Sequence, residues 1–112
     1  MTGLSYLASP YTHSDPTVRE ARYHAACKKA AELMLEGKVI FCPIAHSHPI
    51  SEHMPDGCAV DATLWKKQDE PYVAMCDEMI VLCLDGWETS RGVLHEINEA
   101  QNRGIPIIWV EP

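Results

Sequence analysis

Short apolar segments alternate along the chain with longer stretches in which apolar and polar residues mix. Uninterrupted apolar runs are typical of strands that are buried on both faces of a parallel sheet. A strand with one solvent-exposed face instead alternates between apolar and polar residues. Four such runs predict strands at Leu4–Ala8, Lys38–Cys42, Met79–Leu84 and Ile105–Val110. The pattern therefore predicts a parallel sheet.

The mixed stretches between these runs predict three helices, at Pro16–Glu36, Ala62–Met75 and Arg91–Arg103. Asp15 can cap the first helix, and Pro16 suits a first turn, where no backbone N–H is needed. Pro71 should bend or restart the second helix. We expect the buried side of the first helix to consist of Ala21, Ala25, Leu33 and Met34.

One segment, Ala45–Gly57, is rich in residues that interrupt regular structure. It contains three histidines, two prolines and a glycine. Proline and glycine between periodic segments favour a loop, and an irregular connection of this length usually has a function. We therefore expect a long loop here that could hold one helical turn.

The predicted order is β-α-β-α-β-α-β, which indicates a single α/β domain over residues 1–112. Helices on both faces would make it a small doubly wound, flavodoxin-like parallel sheet, with ligands at the carboxyl ends of the strands. That edge would bring together the residues that follow the first three strands. These are Ser9, Pro10 and Tyr11, then His46 and His48, then the stretch from Asp85 to Gly92.

Charge and cysteine content narrow the class of partner and the compartment. The net charge is −7, and the nine Lys and Arg residues form no basic patch, so a small molecule fits better than a nucleic-acid polymer. Five cysteines at irregular spacing favour reduced thiols over a disulfide framework. With neither a signal peptide nor an apolar membrane span in the sequence, we expect a cytoplasmic protein.

Glu96 is the most informative carboxylate. Val93, Leu94, Ile97 and Ala100 form the apolar stripe of the last predicted helix, and Glu96 lies just outside its edge. A carboxylate there is either a solvated flank residue or a partly desolvated group near the strand ends. Asp69 and Asp85 could each supply a second carboxylate opposite it, or be surface or capping residues.

Other side chains at the same edge could bind a ligand. Ser90 and Gly92 open the last helix, where free N–H groups can hold a phosphate, although an N-cap serine without a ligand is common. Trp87 could stack on a flat ligand or pack in the core. His46 and His48 alone make a poor zinc site, which needs three or four ligands. We expect no metal and no cofactor.

Several segments occur together in an order that resembles a known family. They are Tyr6-Leu7-Ala8-Ser9-Pro10, Asp69 eight residues before Asp77, Ser90-x-Gly92-x-x-x-Glu96-x-x-x-Ala100, and Gly104-x-Pro106. In this they resemble the nucleoside 2-deoxyribosyltransferase superfamily, and within it the branch that hydrolyses 2′-deoxynucleoside 5′-monophosphates. The chain is also similar to small bacterial and phage proteins that share its YLASPY and PIAHSHP segments.

The resemblance implies a role for each matched residue. Glu96 would be the nucleophile or the stabiliser of an oxocarbenium-like sugar, Asp69 the acid and base, and Tyr6 the residue that orients Glu96. Ser90 and Gly92 would hold a 5′-phosphate. It also implies a homo-oligomer, a dimer or a tetramer.

The expected function is cleavage of an N-glycosidic bond, or deoxyribosyl transfer, on a nucleoside or nucleoside 5′-monophosphate. Two other functions stay open. The first loop, SPYTHSDP, lacks the glycine-rich or arginine-bearing form usual in the monophosphate branch, so the chain could be a non-catalytic nucleotide-binding module. A metal-dependent protein that uses His46 and His48 is the other.

Overall fold

The structure is a computed structural model that describes residues 3–55, 57 and 61–112. These residues form four strands, four α-helices and a short 3-10 helix that precedes the last α-helix. In chain order these are β1 (Leu4–Ala8), α1 (Pro16–Leu35), β2 (Val39–Phe41), α2 (Pro43–Ser51), α3 (Ala62–Met75), β3 (Glu78–Leu82), the 3-10 helix (Trp87–Thr89), α4 (Arg91–Asn102) and β4 (Ile107–Val110).

The four strands form one parallel sheet in the order β2-β1-β3-β4. β1 lies inside the sheet, with Tyr6 opposite Phe41 of β2 on one side and Met79 of β3 on the other. After β1 the chain forms β2 on one side of it, and then returns to form β3 and β4 on the other side. The carboxyl ends of β1 and β3 therefore border the point at which the strand order reverses, where ligands bind in sheets of this kind.

Helices cover both faces of the sheet. Successive side chains of a strand point to opposite faces, so neighbouring residues of one strand pack against different helices. Leu7 and Ile80 pack with α1 and α2, whereas Tyr6 and Met79 pack with α3 and α4. The predicted doubly wound α/β fold is confirmed. In the described part of the chain there is one α-helix more than predicted, and the strands β2, β3 and β4 are shorter than their apolar runs.

That extra helix, α2, corrects the prediction of a long loop at Ala45–Gly57. Pro43 occupies its first turn, where a missing N–H costs nothing, and Pro49 lies inside the helix without ending it. Ile44 and Ala45 pack against the core beneath α1. Tertiary packing has overridden a local composition that favours irregular structure.

Two further predictions about helices are wrong in detail. In α1 the buried residues are Ala26, Ala30 and Leu33, whereas Ala21 and Met34 are exposed. Alanines occur around much of this helix, so they do not define one face. Leu94 of α4 is likewise exposed instead of buried. Pro71 neither ends nor restarts α3, which is one continuous helix.

The cysteines are free thiols at positions 27, 42, 76 and 83, and Cys58 lies outside the described residues. None of the helices in the described ranges is long and apolar enough to cross a membrane.

The core packing predicts the cost of truncating one central side chain. Leu7 is completely buried in β1, so Leu7→Ala should lower the free energy of unfolding by about 2–5 kcal/mol, through lost apolar contacts and a cavity. Leu35→Ala is the matched control. Leu35 is 90% exposed, and its truncation should change stability by less than about 0.5 kcal/mol. Urea unfolding at neutral pH measures both, and equal losses would contradict the described core.

Candidate active site

On the face covered by α3 and α4, two polar side chains from different elements are hydrogen-bonded, and a third lies near them. Tyr6 is completely buried in β1, and its hydroxyl donates a hydrogen bond to Oε2 of Glu96 on α4. Asp69, on α3, lies near enough for its charge to raise the pKa of both Tyr6 and Glu96. Tyr6, Asp69 and Glu96 are called the acid cluster below.

Burial dominates the electrostatics of the acid cluster. It raises the pKa of Glu96 to about 8, and the charge of Asp69 acts in the same direction, whereas the hydrogen bond from Tyr6 acts against it. Burial alone raises the pKa of Asp69 to about 6. The pKa of Tyr6 lies well above its ordinary value, first because of burial and then because of the charge of Glu96.

Near neutral pH the pair of carboxyl groups therefore holds one proton. Desolvation disfavours the charged form of each acid, and two like charges at one site disfavour each other further. A pair that shares one proton can donate it to a leaving group while the other oxygen carries negative charge. This is the protonation state that acid–base chemistry on one substrate requires.

A second link joins the two helices directly beside these acids. His95 precedes Glu96, Glu70 follows Asp69, and a ring nitrogen of His95 lies 3.3 Å from the Glu70 carboxylate. This contact connects α3 to α4 one residue away from each acid. It therefore helps to fix the separation of the two carboxyl groups.

The start of α4 has the form that the sequence predicts. Ser90 is the N-cap, and its Oγ accepts a hydrogen bond from the backbone N–H of Val93 at 3.3 Å. A Cβ at Gly92 would meet no atom nearer than Ser90 Oγ, at 4.0 Å. Backbone N–H groups at a helix N-terminus attract anions, and the missing side chain leaves the approach to this turn open.

The loops after β1 and β3 are held together by a residue that the sequence analysis did not single out. Arg22 of α1 donates one hydrogen bond to the carbonyl oxygen of Thr12 and one to that of Asp85, both at 3.1 Å. Gly86 makes room for it, because a Cβ there would lie 2.6 Å from the guanidinium. The exposed side chain of Asp85 takes no part in this clamp.

Ser9 and Pro10 are buried where β1 ends. Within the described part of the chain, Ser9 Oγ is a buried polar atom without a hydrogen-bond partner. A buried hydroxyl usually finds one. It is thus a polar group at the expected ligand edge that a bound molecule could satisfy.

The remaining predicted site residues have other neighbours. Trp87 packs against the core cluster that contains Tyr6. It also packs against Trp109, with ring centroids 5.3 Å apart. His46 is exposed on α2, 5.8 Å from the ring of Phe41. His48 bonds to the Tyr11 hydroxyl at 2.6 Å, and α2 packs on the sheet face opposite α4.

An aromatic pair that sequence reasoning missed adjoins Tyr6. Phe41 stacks on Tyr72 with ring centroids 3.9 Å apart and an interplanar angle of 7°. The centroid of Phe41 lies 5.9 Å from that of Tyr6. One feature of the sequence could have indicated Phe41 as a site residue. It is the only aromatic residue in the second apolar run and lies near the carboxyl end of that run.

Comparison with known proteins gives a family and a fold. Residues 3–111 match the family described as "Domain of unknown function (DUF1937)". The chain belongs to the DUF1937 family. Sequence comparison of this DUF1937 member with functionally curated proteins finds no significant match.

A solved structure has the same fold as this DUF1937 member. It is a 2-deoxyribosyltransferase from Bacillus psychrosaccharolyticus, 19% identical in sequence, with a TM-score of 0.70 over 97% of this chain and 72% of the other. The resemblance to the nucleoside 2-deoxyribosyltransferase superfamily is thereby confirmed in fold. Its monophosphate-hydrolysing branch stays a prediction.

The raised pKa of Glu96 predicts how stability depends on pH. The folded state holds this proton more tightly than the unfolded chain, whose glutamates titrate near 4.5. The contribution of Glu96 is therefore most favourable below pH 4.5 and is lost as the pH rises to about 8. Glu96→Gln should not show this loss of stability between pH 4.5 and 8. The difference in the free energy of unfolding should be about 1.4 kcal/mol for each unit by which the pKa of Glu96 is shifted.

Urea unfolding at intervals from pH 4 to 9 measures this effect. Glu99→Gln is the control, because Glu99 lies on the same helix and pairs with Arg103 at 3.5 Å outside the acid cluster. Glu99→Gln should keep the wild-type slope. If Glu96→Gln also kept it, Glu96 would be exposed to bulk water.

Proposed function

We propose that this DUF1937 protein breaks the N-glycosidic bond of a nucleoside or nucleoside 5′-monophosphate and passes the sugar to water or to another base. The observation that carries the proposal is the acid cluster, in which two carboxyl groups share a partly desolvated site and a buried phenol orients one of them. The deoxyribosyltransferase with the same fold supports the choice of substrate class.

In the proposed reaction the bond between C1′ and the base nitrogen breaks, and its electron pair leaves with the base. Asp69 donates its proton to the departing base. The Glu96 carboxylate faces the positive charge that develops on the sugar and forms a bond to C1′. Water or an acceptor base, deprotonated by Asp69, then displaces Glu96. A carboxylate so placed stabilises the transition state more than the substrate.

The reaction requires the shared proton on Asp69, whereas burial favours it on Glu96. Moving it leaves the net charge of the pair unchanged. The hydrogen bond from Tyr6 favours negative charge on Glu96, and so does a sugar that becomes positive beside it. A bound substrate thus shifts the proton in the direction that catalysis needs.

The rest of the proposed site follows the carboxyl edge of the sheet. Ser90 and Gly92 would bind a 5′-phosphate or 5′-hydroxyl at the start of α4, and Ser9 would offer its unpartnered hydroxyl. Pro10, Asp85, Trp87 and His46 belong to the surrounding surface. His48 contributes indirectly, through its hydrogen bond to Tyr11 in the loop after β1.

A second candidate function is a nucleotide-binding module that has kept this site without turnover. The observation in its favour is the Glu96 pKa of about 8, which leaves the nucleophile of the free protein mostly protonated at neutral pH. Calorimetry with the same nucleotides separates the two functions. Tight binding without release of base would favour the module.

Activity is tested with a panel of nucleosides and nucleoside 5′-monophosphates, with and without an acceptor base, by chromatographic detection of free and exchanged bases. Glu96→Gln should lower kcat by at least about 100-fold, because it removes the group that stabilises the developing charge. Glu99→Gln should stay within about twofold of wild type, since Glu99 lies outside the acid cluster. The absence of any base release that depends on Glu96 would refute the enzymatic proposal.

The pH dependence of kcat/KM gives a separate test. The pair holds one proton between pKa values of about 6 and about 8, so the profile should be a bell with limbs near these values. Residual activity of Asp69→Asn should follow a single ionisation. A flat wild-type profile from pH 5 to 9 would show that these two acids do not govern the reaction.

A further inference from the structure

Two histidine–glutamate pairs face each other where α1 packs on α2. Glu20 and His24 lie one turn apart on α1, and His48 and Glu52 lie one turn apart at the end of α2. Residues four apart share one face of a helix, so each helix presents an imidazole and a carboxylate to the same junction. The acid cluster lies on the other face of the sheet.

The side chains of Glu20, His48 and Glu52 converge, and His24 lies beside Glu20. One oxygen of Glu20 lies 2.9 Å from Nε2 of His48, and the other lies 3.1 Å from Nε2 of His24. An oxygen of Glu52 lies 3.5 Å from the same Nε2 of His48. One ligand atom each from Glu20, His48 and Glu52 all lie within 4.8 Å of one another.

His48 is oriented by contacts that are independent of these carboxylates. Its side chain is 10% exposed, its ring stacks on Tyr23 at 4.1 Å, and its Nδ1 bonds to the Tyr11 hydroxyl at 2.6 Å. Histidines that bind metals use their second ring nitrogen in this way, because such a bond fixes both the tautomer and the ring orientation. Nε2 of His48 is therefore held towards the two carboxylates.

Hydrogen bonding alone leaves this junction incompletely paired. Across the described ranges, the ion-pair partners of Glu20 and Glu52 are histidines, with neither lysine nor arginine among them. Nε2 of His48 can carry one proton, and the nearer oxygen of Glu20 is in place to accept it. Glu52, at 3.5 Å, is left without a good hydrogen bond. A divalent cation between the three ligands would neutralise both carboxylates.

We propose that Glu20, His48 and Glu52 bind a divalent transition-metal ion of the zinc class. Imidazole nitrogen combined with carboxylate oxygen suits zinc and its neighbours better than calcium or magnesium, which prefer oxygen alone. The ion would join α1 to α2 and, through Tyr11, hold the loop after β1. His46 is not a ligand of this site, and the sequence-based expectation of no metal is revised.

Metal binding is measured on tag-free protein treated with EDTA and then dialysed. Calorimetric titration with Zn²⁺ should show one ion per chain, and the melting temperature should rise as Zn²⁺ is added, because the ion binds the folded state. Co²⁺ should give visible absorption bands typical of nitrogen and oxygen ligands. None of these readouts requires enzymatic activity, so the result is independent of the proposed function.

Variants assign the binding to these residues. His48→Gln and Glu52→Gln should each weaken Zn²⁺ affinity by more than about tenfold, and Tyr11→Phe by about 10–100-fold through loss of the bond to Nδ1. Glu36→Gln, at an exposed position at the far end of α1 from Glu20, should bind as wild type does. Glu52 is exposed, so its variant should fold normally. Absence of saturable binding, or full binding by Glu52→Gln, would overturn the proposal.

Discussion

The hydrogen bond between Tyr6 and Glu96 is the constraint on which the rest of the candidate site depends. Tyr6 belongs to an inner strand and is completely buried, so its hydroxyl has a fixed position and no water to replace its partner. A carboxyl group on α4 is thereby tied to the middle of the sheet. Without that bond, Glu96 would be one more acid on the border of an amphipathic helix.

The two faces of the sheet carry different chemistry. The face under α3 and α4 holds two acids whose pKa values are raised by burial. The junction of α1 and α2 holds two exposed glutamates beside the imidazole of His48, whose side chain is 10% exposed. The loop after β1 touches both regions. It begins at Ser9, beside the ligand edge, and two residues later Tyr11 contacts His48.

Strong local signals made the strands and most of the helices predictable. The capping of α1 by Asp15, whose carboxylate accepts from Thr17 N at 2.8 Å, and of α4 by Ser90 follows from side chains that can accept at those positions. The long-loop prediction failed because the proline and histidine content of α2 is unfavourable in isolation and is offset by packing on α1. Leu94 was misplaced because a helical wheel does not show where the neighbouring helices end.

Position in the chain made Asp69 and Asp85 equal candidates for the second carboxylate, and the resemblance selected Asp69 and Tyr6. Only the folded chain brings these two residues near Glu96. The Phe41–Tyr72 stack and the Arg22 clamp are equally long-range. A single sequence records such contacts weakly, because neither partner is unusual in its own segment. His48 was already a candidate in the sequence, but its contacts were not predicted. Glu20 lies on α1 and Tyr11 in the loop after β1.

The Arg22 clamp has a consequence for the spacing of the loops after β1 and β3. One guanidinium spans the carbonyl groups of Thr12 and Asp85, so the distance between the two loops is set by the reach of a single side chain anchored on α1. Because a Cβ at Gly86 would lie 2.6 Å from that guanidinium, a larger residue there would displace Arg22 and free the two loops from each other.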